Sequence, residues 1–80
     1  MPAIIVHNAS NSKVEAFISK YNGGGSEDWY PVGDGARLTW NRDNQGWELV
    51  AFKIGNRRAG VYVQLGALVT FKSLDQITVQ

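Results

Sequence analysis

Ala36-Arg37-Leu38-Thr39-Trp40-Asn41-Arg42-Asp43-Asn44-Gln45-Gly46-Trp47-Glu48-Leu49-Val50-Ala51-Phe52-Lys53-Ile54 (residues 36–54) holds two apolar runs around a polar loop. Residues 36–41 and 47–54 each read as a strand, because apolar and polar side chains alternate along them. Folding the two about the loop Asn41-Arg42-Asp43-Asn44-Gln45-Gly46 predicts a hairpin. Trp40 then faces Trp47, Leu38 faces Leu49 and Ala36 faces Ala51, all on one side of the sheet. Thr39 opposite Glu48 and Arg37 opposite Val50 make the other, more polar side. A slip of one residue would mix the two sets, so the pattern favours this register.

Working outward, residues 3–7 form a β-branched run that reads as a strand. Asn8-Ala9-Ser10-Asn11-Ser12 reads as a turn, since Asn and Ser side chains bond their own backbone there. Residues 13–20 alternate with Val14, Ala16 and Ile18 on one face, leaving Phe17 as an outward aromatic. Gly23-Gly24-Gly25 breaks regular structure, and it lacks the Gly-Lys-Ser/Thr ending and following helix of a phosphate loop. Trp29-Tyr30-Pro31-Val32 reads as a short edge strand, because Pro31 has no amide to give a neighbour. Residues 54–60 read as a loop. Residues 61–64 and 67–72 read as a second hairpin about Leu65-Gly66, and residues 76–79 as a last strand. About six to seven strands at intervals near ten residues, with no amphipathic helix, predict one all-β domain over residues 1–80: a small antiparallel sandwich.

Composition narrows the function. Eighty residues bury a small core, and with no cysteine no disulfide staples it. One His and no Cys argue against a structural zinc site. A formal net charge of +1 gives no basic field for nucleic acid. No run is long enough to span a bilayer as a helix, and the first residues lack the basic flank of a signal peptide. A cytoplasmic location, or secretion without a recognisable signal peptide, is expected. Catalysis finds little support. His7 has only Ser10 and Ser12 near it in sequence, and Glu27 and Asp28 would point to opposite faces of an extended segment. The chain reads as a non-enzyme needing no cofactor.

The three tryptophans each sit beside polar residues, and this points to a sugar. A pyranose offers an apolar face to an indole and hydroxyls to Asp, Asn, Gln and Arg. Asp28, Trp29, Tyr30, Trp40, Arg42, Asn44 and Trp47 form the candidate site. Trp29 and one of Trp40 or Trp47 would stack on the ring; Asp28, Arg42 and Asn44 would bond its hydroxyls. The competing reading makes Trp40 and Trp47 core filler. A second candidate joins Arg57 and Arg58 with Lys53 and Tyr62 as an anion site, although alternation aims the two arginines apart. Phe17, Tyr21 and Tyr30 would serve a membrane interface in a lipid-binding alternative. A purely structural, self-associating module is the third reading. The strand at 47–54 is apolar on both faces, so a second copy is expected to cover one of them and the chain to be a homo-oligomer.

Ile5-Val6-His7-Asn8-Ala9-Ser10-Asn11-Ser12-Lys13-Val14, Ser19-Lys20-Tyr21-Asn22-Gly23-Gly24-Gly25-Ser26-Glu27-Asp28-Trp29-Tyr30, Thr39-Trp40-Asn41-Arg42, Gly46-Trp47-Glu48-Leu49-Val50-Ala51-Phe52-Lys53 and Arg58-Ala59-Gly60-Val61-Tyr62-Val63 together resemble a group of small cysteine-free β proteins of fungal fruiting bodies. That group includes lectins and cytolysin-like defence proteins. The opening strand also resembles that of aegerolysins, which are longer and whose remaining pattern is absent here. The resemblance implies a soluble, oligomeric sandwich that serves in recognition or defence, and it supplies no site residues.

Overall fold

The computed structural model describes residues 2–24 and 27–80, so Gly25 and Ser26 of the expected glycine loop lie outside the described residues. The described chain is all-β. Its eight strands are β1 (Ala3–Asn8), β2 (Val14–Ile18), β3 (Tyr30–Val32), β4 (Arg37–Asn41), β5 (Trp47–Ile54), β6 (Arg57–Gln64), β7 (Leu68–Ser73) and β8 (Gln76–Val79). They form two four-stranded sheets, ordered β4-β1-β7-β8 and β3-β2-β5-β6. All neighbours are antiparallel except β1 and β7, which run parallel with Val6 beside Val69.

The sheets stack through alternating side chains. Ile4, Val6, Trp40, Val69 and Phe71 of the first meet Val14, Ile18, Val50, Phe52 and Val63 of the second, all buried. Phe52 and Phe71 touch across the gap with ring centroids 4.5 Å apart. This apolar interior stands in for the missing disulfides.

The stretch 36–54 does not make the expected hairpin. β4 pairs with β1, placing Trp40 beside Ile4, while β5 lies between β2 and β6 in the other sheet. Alternation determines which side chains point inward; it does not say whether two successive strands lie side by side or face each other across a sandwich. The polar loop therefore crosses from one sheet to the other. On β5 the inward set is Glu48, Val50 and Phe52, and Trp47, Leu49 and Ala51 face outward. The expected phase is thus reversed, because Glu48 is served by enough donors to be buried. The outward set is only partly covered, so β5 is not buried on both faces within the monomer.

The second expected hairpin fails for the same reason. Leu65-Gly66-Ala67 carries the chain between sheets, from β6 to β7. The real hairpin is β5–β6. Gly55 and Asn56 alone form its turn, with Ile54 opposite Arg57, so residues 57–60 are strand and not loop. Gly55 has φ +60°, while Asn56 does not enter positive φ. Positive φ at the first of two turn residues is what a type II′ hairpin requires, and glycine adopts it without strain. β3 lies at a sheet edge, as Pro31 demands.

Candidate functional site

The residues expected to form one site are spread over three environments. The first is a buried polar node beneath the sheet-crossing loop. Arg42 is fully buried and gives Nε to Ser19 O at 2.9 Å, Nη1 to Asn41 O at 2.7 Å and Nη2 to Ile18 O at 2.8 Å. Glu48, also fully buried, stands 3.9 Å from Arg42 Nε. Its Oε1 accepts Ser19 Oγ and the Tyr21 amide, and its Oε2 accepts the Asn22 amide and Asn22 Nδ2. Burial alone would raise the Glu48 pKa; the bonds from Ser19, Asn22 and Tyr21 outweigh it and hold the carboxyl below its ordinary value. Ser19 Oγ also accepts the Leu49 amide, which ties β5 to the segment after β2.

This node corrects the expectation for Arg42. Its guanidinium is committed to backbone carbonyls that would otherwise be buried without donors, so it is a strut between sheets and does not reach a surface ligand. Asn44 lies nearby on the exposed loop, with its amide bonded to Asn22 O. Trp40 is also withdrawn. It is 6% exposed and packs edge-on against Tyr30, with centroids 6.2 Å apart. Trp40 is core filler, and it does not meet Trp47.

Trp29 occupies a second environment, on the outer face of the second sheet. Phe17 lies 5.4 Å from its ring, Lys53 Nζ stands 4.6 Å above it, and the Arg58 guanidinium is 6.0 Å away. Lys53 also faces Glu15 at 3.9 Å. The indole is thus covered by cations, a favourable arrangement for its negative face. Asp28 is exposed beside it.

Trp47 makes the third. It is 49% exposed and stacks on Tyr62, itself 58% exposed, with centroids 5.6 Å apart and planes 23° from parallel. The register explains the pair: Leu49 lies opposite Tyr62 and Trp47 opposite Gln64, so Trp47 and Tyr62 are diagonal neighbours on one face. Beside them opens a hollow of about 470 Å³, walled by Gln64, Gly66, Val79 and Gln80. Its floor is the crossing between sheets, fixed by the Leu65 amide on Gly46 O, the Gly66 amide on Ala3 O, and Gln45 Nε2 on Leu65 O. Gly66 has φ +105°, and a β-carbon there would meet open space.

Tyr62, Gln64 and Gln80 were not among the sugar-site residues expected from sequence. A signal for Tyr62 existed. Taking Gly55-Asn56 as a two-residue turn counts back to Leu49 opposite Tyr62 and sets Tyr62 diagonal to Trp47. Among the described residues, no group of three or more His, Asp or Glu comes together in a way that could hold a metal ion. Comparison with protein-family models, with curated proteins and with solved structures finds no match. The functional reading therefore rests on the geometry of this chain.

Proposed function

We propose that the protein binds glycans, with the Trp47–Tyr62 pair as the stacking platform and Gln64 and Gln80 as hydroxyl partners. The carrying observation is the stacked, half-exposed aromatic pair at the lip of a hollow that also presents amide side chains. Leaving two large rings in water forgoes burial worth about 25 cal/mol per Å². If a sugar face covers about 100 Å² of the platform, the gain is about 2.5 kcal/mol before hydrogen bonds. With a few of those, the affinity is millimolar to high micromolar. Single-site binding is weak on this estimate, so useful avidity needs several copies or a multivalent target. That fits the role in recognition or defence implied by the fungal resemblance.

The test is a glycan array followed by fluorescence titration of the strongest hit, with the mass in solution measured alongside. Binding that is lost in Trp47→Ala and Tyr62→Ala, and kept in Trp29→Ala, supports the assignment. Hits that survive both substitutions would remove the platform from the site. A dimer that shields Trp47 from a soluble quencher, with no array signal, would replace the reading by self-association. Binding to sugar-free vesicles would replace it by the lipid alternative.

A further inference from the structure

The opposite end of the molecule carries a second hollow, of about 230 Å³, at the mouth between the sheets. β5 runs from Trp47 to Ile54, which is seven steps, so the two ends are separated by about 24 Å. Three turns meet here: the β1–β2 turn brings Ser10 and Ser12, the β5–β6 turn brings Arg57, and the β7–β8 turn brings Lys72, Ser73 and Asp75. Phe71 closes the bottom. Strand alternation separates the two adjacent arginines of the sequence. Arg58 goes to Trp29 on the outer face, and Arg57 lines the mouth.

The hollow has a surplus of donors. Among the described residues, neither the Arg57 guanidinium nor the Lys72 ammonium has a carboxylate within ion-pair distance, and neither donates a hydrogen bond to the protein. Ser73 Oγ accepts the Asp75 amide, which leaves its hydroxyl proton to give. The Ser12 hydroxyl makes no bond within the described chain. The Ser12 backbone is meanwhile held in place, because Asn8 Nδ2 donates to Ser12 O and the Ser12 amide donates to Ser10 Oγ. Asn8 is itself fully buried and anchored to Val32 O. Two cations and two hydroxyls, against the single carboxylate of Asp75, surround a space smaller than the roughly 300 Å³ of a whole-ligand pocket. That combination suits one compact anionic group with several acceptor oxygens.

We infer that this mouth binds the oxyanion of a phosphate or sulfate monoester, with Arg57 and Lys72 supplying charge and Ser12 and Ser73 supplying hydroxyl donors. The assignment is independent of the glycan platform at the other end. An ester borne on a soluble sugar and one borne on a lipid headgroup present the same chemistry to it.

The experiment is an amide-resolved NMR titration of the full chain with inorganic phosphate and with sulfate, against chloride at matched ionic strength. The expected result is saturable shifts confined to Ser10–Ser12, Arg57 and Lys72–Asp75. Arg57→Gln weakens them roughly tenfold, the size of one lost charge-assisted bond. Arg37→Gln, which removes an equal charge from the exposed outer face of β4, leaves them unchanged. Chloride producing the same shifts, or Arg37→Gln weakening binding as much as Arg57→Gln, overturns the site and leaves only a general ion atmosphere. A hexose phosphate or hexose sulfate and phosphatidylcholine vesicles with and without phosphatidic acid form the second arm. Tighter binding to the former assigns a soluble ester; Arg57-dependent sedimentation only with phosphatidic acid assigns a headgroup. Glycan-platform variants such as Trp47→Ala leave every one of these shifts in place, so failure at one end is not confused with failure at the other.

Discussion

Replacing Glu48 by Gln tests the polar node with almost no change of shape. The carboxylate accepts four donors, two on each oxygen. A glutamine amide keeps one oxygen and turns an NH₂ toward the other pair. Either Ser19 Oγ and the Tyr21 amide, or the two Asn22 donors, then face another donor. Losing two bonds to a charged acceptor costs about 1.5–3 kcal/mol each, reduced where water reaches the Tyr21–Asn22 segment. Arg42 also loses its countercharge while remaining buried, and breaking a buried pair typically costs about 3–5 kcal/mol. The expected loss is therefore about 3–5 kcal/mol, out of a total stability of about 4–12 kcal/mol for a chain of this size. Urea unfolding followed by tryptophan fluorescence measures it. The pH dependence identifies the cause. The folded-state pKa of Glu48 lies below its ordinary value, so its stabilisation is fully present above the unfolded pKa and is lost as pH falls through the folded one. The gap between wild type and Glu48→Gln should be widest near neutrality and should close in acid. A gap under about 1 kcal/mol, or one that does not vary with pH, would refute the claim that charge-assisted bonds hold this node together.

Other substitutions probe the frame around it. In Gly24→Ala, the new β-carbon would meet the Asp43 carboxylate, the far end of an exposed side chain that can swing aside, so the opposing cost is the strain of a side chain at φ +72°. A loss of about 1–2 kcal/mol in denaturant midpoint analysis is expected. Phe71→Ala empties one half of the inter-sheet ring contact and should cost about 3–5 kcal/mol, read as a lowered urea midpoint with the slope of the transition unchanged. Trp47→Ala, by contrast, removes a half-exposed ring and should lower stability by no more than about 1–2 kcal/mol, with the NMR dispersion of the core unchanged.

Much of the architecture was legible because alternation is a local property. Val14, Ala16 and Ile18 declared the inward face of β2, and Leu38 and Trp40 that of β4, without knowledge of any partner. Pairing was not legible from the same signal. A loop that turns back within a sheet and one that crosses between sheets both follow an apolar strand, and nothing in the loops at 41–46 and 65–66 tells the two apart. Glu48 misled for a different reason. A carboxylate marks an outward position unless donors distant in sequence converge on it, and Ser19, Tyr21 and Asn22 do so from some thirty residues away. The same long-range burial hid the role of Arg42. The candidate site was legible only in part: Trp47 was identified, but its partner Tyr62 follows from the Gly55-Asn56 turn, which reads as part of a loop until the strand is extended back to Arg57.

The parallel seam between β1 and β7 governs when this molecule is able to exist. On a ribosome, the first strand emerges and finds β4 soon afterwards, but its other edge stays unsatisfied until residues 68–71 have been synthesised and have cleared the exit tunnel. Until then the backbone groups of Ile5, Val6, His7 and Asn8 on that edge are open to any passing strand. The β1–β7 seam closes late, so slow completion on the timescale of other β-rich domains comes with the topology.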